Sequence, residues 1–258
     1  GITPLHTICD IEQIVHEMRL FKDAHEIDIM KRAARISAGA HVRAMQHCRP
    51  GLREYHLEAE LLHEFRRHGS QHVAYNSIVA AGSNTCILHH RAGNAELRDG
   101  DLCLIDAGCE LNGYASDITR TFPVNGKFSG PQRSIYEIVL AAQIAAIEKT
   151  KPGNVFTDPH DAAVHVITQG LIDLGIIKAD SVANAIEQKL YQPYYMHRTS
   201  HWLGMDVHDV GDYRQRNTTL VPPPSRTLEP GMVLTIEPGI YIREGSNTPP
   251  EFWNIGIR

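Results

Sequence analysis

Two aspartates lie on either side of the strongest turn signal in the chain, and together they could bind metal ions. Asn112-Gly113 is typical of a two-residue hairpin turn, because Asn and Gly tolerate positive φ. Continued outward from such a turn, the register pairs Gly108 with Asp117 and places Asp106 diagonal to Asp117 on the same face. Diagonal Cβ atoms lie about 7–8 Å apart, which lets two carboxylates hold ions about 3.5–4 Å apart, as in two-metal hydrolases. The alternative is that both aspartates face solvent and accept hydrogen bonds from turn amides.

The strand that leads to Asp106 is apolar, which favours the metal-binding interpretation. Leu102, Leu104 and Ile105 indicate an interior strand. Two buried carboxylates without a partner would repel each other and be poorly solvated. We therefore expect a cation between them.

The acidic strand has a second copy in the chain. Residues 97–108 align without gaps on residues 228–239, with Leu, Gly, Ile and Gly at the same positions and Glu237 in the place of Asp106. An approximate two-fold axis would bring Glu237 and Asp106 together in the middle of the sheet. The alternative is that a loop, a glycine, a strand and an acidic residue recur by chance.

Histidines could supply further ligands. The chain has 16 His, and His197, His201 and His208 fall within one short run around Gly204, where the backbone can approach a neighbour closely. Carboxylates with a single imidazole favour Mn²⁺, with Co²⁺, Fe²⁺ or Zn²⁺ as substitutes, and differ from a thiolate zinc site. A lone His is more often structural, but three beside a duplicated acidic frame indicate a ligand or acid–base role.

Helices must position these side chains. Asp23 followed by Glu26 is typical of a capping box at the start of a helix that continues toward Cys48. The same order of two helices and a strand occurs twice, which predicts one α+β domain with approximate two-fold symmetry and a sheet covered by helices on one face. The predicted helices span 23–48, 57–65, 135–149 and 162–174, and the predicted strands span 73–81 and the apolar runs around 102–106 and 233–236.

Composition excludes several classes of protein. The chain has 258 residues, of which 42% are hydrophobic and 21% charged, so wholesale disorder is excluded. A net charge of −5 with scattered Lys and Arg argues against nucleic-acid binding. The longest apolar stretch, residues 138–147, is far shorter than the roughly 18–20 residues of a membrane span. Five Cys at unpatterned positions indicate a reduced, cytoplasmic setting.

These residues resemble a known family. Asp106, Asp117, His201 and Glu237 look like the ligand set of the creatinase-fold ("pita-bread") metallopeptidases, which include methionine aminopeptidase, prolidase and aminopeptidase P. The resemblance covers about residues 15–258, and it is most similar to bacterial-type Xaa-Pro aminopeptidases in the stretches 16–22, 117–127 and 200–211. It implies a pseudo-two-fold pita-bread fold with a curved antiparallel sheet covered by helices.

The resemblance also implies roles for the acidic residues and one histidine. Asp106 would chelate one divalent ion, Asp117 would bridge two, and His201 and Glu237 would bind the second. The expected cofactor is therefore two divalent metal ions, of which Mn²⁺ is the first choice.

Three more histidines match the positions that surround the substrate in the family. They are His89, His197 and His208, which would donate hydrogen bonds to the carbonyl oxygen or to developing charge. The neighbour His90 leaves open which of the two adjacent histidines has this role. The proton shuttle, usually a Glu in such sites, is left unassigned.

The activity implied by the resemblance is that of a dinuclear metallo-exopeptidase. It would hydrolyse the bond between an N-terminal residue and a following proline, so its partners would be peptides with proline at the second position. One alternative is a prolidase acting on Xaa-Pro dipeptides, and another is a non-catalytic binding module of the same fold. The resemblance also implies a homo-oligomeric parent protein, and the charge and the short apolar stretches predict that it binds neither nucleic acid nor membrane.

The ends of the chain carry expectations of their own. Residues 1–22 are interpreted as a connector from a missing N-terminal domain, and residues 23–258 as the catalytic domain. In the family a second bridging Glu follows the pattern seen in Gly256-Ile257-Arg258 by two residues. We therefore expect a domain truncated at its C-terminal end, with weaker metal binding and slower turnover than its parent.

Overall fold

A computed structural model describes residues 10–216 and 218–258 of the chain. The helices are α1 (Glu12–Leu20), α2 (Ala24–His47), α3 (Glu54–Arg67), α4 (Gly130–Lys149), α5 (Asp158–Asp173) and α6 (Val182–Glu187), and 3₁₀ turns span Gly82–Cys86 and Pro250–Phe252. The strands are β1 (His72–Val73), β2 (Ile78–Ala81), β3 (Leu102–Ala107), β4 (Cys109–Leu111), β5 (Tyr114–Ala115), β6 (Ile118–Pro123), β7 (Ile240–Ile242) and β8 (Ile255–Ile257). The pairs among them are antiparallel, as predicted, in the ladders β1-β4-β5, β2-β3-β6 and β7-β8.

The capping box that predicted the first long helix is formed. The amide of Glu26 donates to the Asp23 carboxylate at 2.8 Å, and the amide of Asp23 donates to the Glu26 carboxylate at 2.7 Å. Two amides that no helical carbonyl can reach are satisfied in this way, which stabilises the start of a helix by about 1 kcal/mol. The helix ends at His47, one residue before the predicted end.

The predicted hairpin is confirmed, and its register holds on both sides of Gly108, although the predicted pair of Gly108 with Asp117 is not formed. Asn112 and Gly113 have positive φ values of 51° and 84°. The register set by this turn pairs Leu111 with Tyr114, and the same register continues beyond an interruption to pair Asp106 with Thr119. The carboxylate-bearing strand is therefore held in the register that the turn predicts.

The interruption lies at Gly108, where two backbones approach closely. A Cβ atom at this position would lie 1.7 Å from the carbonyl oxygen of Ser116, so only glycine fits without a rearrangement. The prediction of a single strand over 73–81 is wrong, because this close approach at Gly108 interrupts the strand that faces it. Because the partner strand breaks at Gly108, residues on the facing side divide into β1, which pairs with β4, and β2, which pairs with β3.

The second half differs from prediction in its strand and in its helix starts. Residues 233–237 do not form a regular strand, although their backbone bonds to the His201 segment, for example from the amide of Thr235 to the carbonyl of His201 at 3.0 Å. The amide of His201 donates instead to the side-chain hydroxyl of Thr235 at 3.1 Å, so the ladder is irregular. α4 begins five residues and α5 four residues before their predicted starts.

Each half of the chain has its own buried core. One cluster joins α2 and α3 to β2, β3 and β4, and includes Leu57, Phe65 and Ile105. The other joins α4 and α5 to β7 and β8, and includes Ile167 and Ile240. This arrangement agrees with the two repeated units that the sequence predicts.

The segment that the sequence analysis assigns to a connector contains a helix. Residues 1–9 of that segment lie outside the described residues, but residues 12–20 form α1. At its end, Leu20 is fully buried against Trp202, and the amide of Lys22 donates to the carbonyl of Gly231 at 2.9 Å. In the part of the chain that the structure describes, we find no helix with the length and apolar character of a membrane span.

Candidate metal and substrate site

The two aspartates of the hairpin face one phenol. The hydroxyl of Tyr75 lies within hydrogen-bond distance of both, making a short contact with Asp106 and one of 2.9 Å with Oδ1 of Asp117. Burial and the charges of both carboxylates raise the pKa of Tyr75 well above its ordinary value, so this phenol stays protonated. The structure thus brings Asp106 and Asp117 together, as the register predicts.

Three predicted ligands form a compact cluster. Nε2 of His201 lies 3.3 Å from Oδ2 of Asp117 and 3.1 Å from Oε1 of Glu237, and the three donor atoms all lie within 4.8 Å of one another. Nδ1 of His201 lies 2.8 Å from the carbonyl oxygen of Trp202. A carbonyl oxygen can only accept, so Nδ1 carries the proton and Nε2 is directed toward the carboxylates, as in a metal-ligating histidine.

The electrostatics of the cluster suit a cation. Burial lowers the pKa of His201, but hydrogen bonds to Asp117 and Glu237 outweigh it and raise the pKa to about 10. Burial raises the pKa of Asp106 to about 6, although Arg258 opposes the shift. In Asp117 the bonds from His201 and Tyr75 outweigh burial and lower the pKa. Several carboxylates and one imidazole are a donor set that fits Mn²⁺ or a similar divalent ion.

Asp106 lies outside the three-donor cluster and has an ion-pair partner. Nη2 of Arg258 lies 2.5 Å from Oδ2 of Asp106, and its Nε lies 4.0 Å from Oε2 of Glu237. The guanidinium is also 3.4 Å from the hydroxyl of Tyr241. Arg258 therefore links the acidic residues of the two repeats, which the sequence predicted would meet in the middle of the sheet.

Two adjoining cavities open onto this cluster. The larger, of about 520 Å³, contains all three of the histidines predicted to face the substrate, and the smaller, of about 400 Å³, contains both aspartates. The residues shared by the walls of both cavities are His89, His201, His208, Glu237 and Arg258. The cluster therefore lies where a ligand in either cavity could reach it.

The substrate-facing histidines differ in their surroundings. Nδ1 of His197 donates to the carbonyl of Arg198 at 2.8 Å, which leaves its Nε2 to accept from the hydroxyl of Tyr241, also at 2.8 Å. The ring of His208 lies 4.2 Å from the ring of His201, centroid to centroid. Burial lowers the pKa of both His197 and His208, so both rings are neutral near pH 7.

The sequence left open whether His89 or His90 faces the substrate, and the structure places the two side chains differently. His89 is exposed and lines both cavities. Nε2 of His90 lies instead 2.8 Å from the carboxylate of Glu54, which is fully buried in α3. Of the two, His89 is the one placed to reach a ligand.

Sequence reasoning missed Tyr75, Tyr241 and Arg258, although each contacts a predicted site residue. Arg258 carried a usable signal, because it follows the apolar residues of β8 as Asp106 follows those of β3. A charged residue after an interior strand needs a partner of opposite charge. For Tyr75 and Tyr241 the sequence offers no comparable signal.

Comparison with known proteins agrees with the predicted fold and identifies the family. Metallopeptidase family M24 matches residues 28–258. The Xaa-Pro aminopeptidase of Escherichia coli K12 is 51% identical over 258 residues, which is 100% of this chain and 57% of that protein. The Xaa-Pro aminopeptidase of Haemophilus influenzae is 53% identical over 251 residues, 97% of this chain and 56% of that protein.

A solved structure shows the same architecture. The Pseudomonas aeruginosa aminopeptidase PepP superposes with a TM-score of 0.92 at 53% identity, over 96% of this chain and 55% of that chain. The α+β pita-bread fold predicted from the sequence is therefore confirmed. The chain spans little more than half the length of these relatives.

Proposed function

Because the chain belongs to metallopeptidase family M24, we propose that in its metal-loaded form it hydrolyses the bond between an N-terminal residue and a following proline. The observation that carries the proposal is the convergence of Asp117, His201 and Glu237 within 4.8 Å at the junction of two cavities. The relatives named Xaa-Pro aminopeptidase support the substrate class. We also propose residues 23–258 as the catalytic domain and residues 1–22 as a connector from an N-terminal domain.

The proposed cofactor is a pair of divalent ions, with Mn²⁺ preferred. Asp117, His201 and Glu237 would hold one ion, and Asp106 with Asp117 would hold the other. When bound, such ions polarise the scissile carbonyl and make water nucleophilic near neutral pH. Arg258 matches part of the charge of Asp106 and Glu237, and Asp117 with His201 supplies the remaining donors of the proposed site.

The chain's own residues would orient the substrate. His89 and His208 line both cavities beside the cluster, where a ring N–H can donate to the oxygen of the scissile carbonyl. Both ring nitrogens of His197 are already bonded, to Arg198 and Tyr241, so in the proposed mechanism His197 shapes the cavity wall while His89 and His208 are the donors. Such preorganised donors stabilise the charge that develops on the carbonyl oxygen without moving during the reaction.

The larger cavity suits a proline ring. Proline offers no amide N–H, so shape and apolar contact must replace a backbone hydrogen bond in its recognition. Leu88, Phe156 and Tyr213 give the cavity apolar walls, and its volume of about 520 Å³ leaves room for residues beyond the proline. This space favours longer peptides over the dipeptide substrates of a prolidase.

We propose a cytoplasmic setting for the protein. The described cysteines Cys48, Cys86, Cys103 and Cys109 are free thiols, which agrees with a reducing compartment. The homo-oligomer that the family resemblance implies stays a prediction.

The test compares matched peptides. Protein containing residues 1–258 is stripped with a chelator, reloaded with Mn²⁺, and given a tripeptide with proline or alanine at the second position, together with an Xaa-Pro dipeptide. We expect the N-terminal residue to be released only from the proline peptides, and faster from the tripeptide. Release from the alanine peptide at an equal rate, or none from either tripeptide, would contradict the proposal.

A pair of variants adds a control. Glu237→Gln removes a proposed ligand and should abolish both activity and metal binding. Glu251→Gln makes the same change at an exposed position in the 3₁₀ turn Pro250–Phe252 and should leave both unchanged.

A further inference from the structure

The loop that carries His89 is tied to a buried carboxylate outside the site. We propose that Glu54, in the first turn of α3, is a positioning residue that holds His89 in its place at the cavity wall. The proposal rests on the proposed function, in which His89 donates to the substrate. Residues 82–93 are called the His89 loop below.

Glu54 is bonded to both ends of the His89 loop. Its Oε1 accepts from the amide of Ala81 and from the side-chain amide of Asn84, both at 2.9 Å. Its Oε2 accepts from the amide of Gly93 at 2.9 Å and from Nε2 of His90 at 2.8 Å. Four donors occupy the acceptor capacity of one carboxylate. Glu54 therefore closes the loop at its start, within it and at its end.

The burial of this anion needs an explanation other than stability. The side chain of Glu54 is 0% exposed. Taking a carboxylate out of water costs several kcal/mol, and a buried ion pair often stabilises a fold no better than apolar residues would. The four hydrogen bonds instead fix the backbone at Ala81 and Gly93, whose amides donate two of them.

The loop geometry turns the two adjacent histidines in different directions. The amide of His90 donates to the carbonyl of Ile87 at 3.2 Å, which closes a turn around His89. His90 reaches the buried carboxylate, and His89 reaches both cavities. A second tie holds the loop to the sheet, because the amide of Gly256 donates to Oγ1 of Thr85 at 3.0 Å.

Glu54 acts at a distance from the reacting atoms. It lies outside the walls of both cavities, so it can affect turnover only through the segments that it bonds, which are the His89 loop and the end of β2 at Ala81. Displacing a substrate-positioning group by about 1 Å can lower a rate by about a hundredfold. Loosening the loop should therefore lower the rate constant for turnover while leaving the metal cluster intact.

The principal test is Glu54→Gln, which keeps the shape but replaces one acceptor oxygen with a donor. At least one backbone amide, that of Ala81 or of Gly93, then loses its acceptor. In the metal-loaded protein we expect kcat on an Xaa-Pro tripeptide to fall about tenfold, equivalent to about 1.4 kcal/mol in the barrier. Metal content should stay unchanged, and the amides of Ala81 and Gly93 should exchange hydrogen faster.

The matched control is Glu60→Gln on the same helix. Oε2 of Glu60 lies 2.6 Å from Arg43 and joins α3 to α2, so this variant loosens helix packing without touching the His89 loop. We expect kcat and amide exchange in the His89 loop to stay at the unmodified level.

A double-mutant comparison separates positioning from general damage. When Glu54→Gln is added to His89→Ala, we expect kcat to fall less than twofold below that of His89→Ala alone. When Glu54→Gln is added to His208→Ala, we expect kcat to fall about tenfold below that of His208→Ala alone. Equal losses in both backgrounds would overturn the proposal. If the unmodified protein cleaves no Xaa-Pro peptide, the proposed function fails. Unchanged amide exchange in Glu54→Gln would separately overturn the proposal that Glu54 holds the His89 loop.

A milder pair of variants covers the case in which Glu54→Gln fails to fold. His90→Leu removes one of the four donors, and we expect about a threefold loss of kcat. His90→Gln keeps a side-chain N–H and should restore most of that loss. Equal activity in His90→Leu and the unmodified protein would contradict the proposal.

Discussion

A buried ion pair fastens the segment after α1 to the loop that carries His208. Nζ of Lys22 lies 3.0 Å from Oδ2 of Asp209, and both side chains are 1% exposed. Lys22→Met would leave the Asp209 carboxylate buried without this partner, a change that costs about 3–5 kcal/mol. Arg19, whose side chain is 22% exposed, still contacts Asp209 at 2.6 Å, so we expect the lower end, about 3 kcal/mol. The unfolding equilibrium would then shift by more than about a hundredfold.

Urea unfolding measures this effect directly. We expect the free energy of unfolding of Lys22→Met to fall by about 3 kcal/mol. The control is Arg133→Met, which removes a cation from an exposed pair with Glu137 and should change the same free energy by less than about 0.5 kcal/mol. A loss below about 1 kcal/mol in Lys22→Met would refute the reasoning, because an exposed pair would then explain the result equally well.

Three further predictions concern the site and the hairpin. His201→Ala should lose metal, whereas His89→Ala and His208→Ala should keep it and lose turnover on an Xaa-Pro peptide; equal metal loss in all three, by elemental analysis, would show that ligands and substrate donors have been confused. Burial lowers the pKa of His160 to about 4. Between about pH 4 and pH 6.5 the imidazole is therefore protonated in the unfolded chain and neutral in the folded chain. The free energy of unfolding should therefore decrease as the pH drops from about 6.5 toward 4, and urea titrations should show a smaller decrease in His160→Gln. An equal decrease in the two proteins would contradict this cause. Gly108→Ala would place a Cβ atom 1.7 Å from a backbone oxygen across the hairpin. We expect this variant to lower the free energy of unfolding by about 1–3 kcal/mol and to weaken metal binding. Unchanged values of both quantities would contradict the close approach.

Local signals in the sequence were enough for the hairpin and the first long helix. Asn112-Gly113 set a register that holds as far as the pair of Asp106 and Thr119, because side chains alternate strictly along a ladder. The capping box at Asp23 and Glu26 places the start of α2. In both cases the residues that decide the structure are close together in the chain.

The helix α1 could not be predicted in the same way. Its N-cap residue is Ile11, whose apolar side chain cannot cap the helix, and the amide of Glu12 is bonded instead by Asp10 one position earlier at 2.9 Å, so the usual start signal is displaced. Contacts with residues far along the chain hold it in place. Arg19 bonds to Asp209, and Glu17 forms an ion pair with Arg226. Tertiary contact overrides the weak local signal here.

The proposed metal ligands have signals in the sequence, whereas the groups that surround them have fewer. The internal repeat pointed to Glu237, and the run from His197 to His208 offered three histidines, of which the family resemblance selects His201. Tyr75 reaches the aspartates from the break between β1 and β2, which exists only because Gly108 interrupts the partner strand. Contacts of this kind depend on the folded arrangement of several segments.

Anomalous scattering from a crystal of the Mn²⁺-loaded protein, recorded at the manganese edge, tests the metal cluster most directly. We predict a peak bonded to the side chains of Asp117, His201 and Glu237, and a second peak beside Asp106. A peak bonded to other residues, or no peak at these side chains under saturating Mn²⁺, would contradict the proposed metal site.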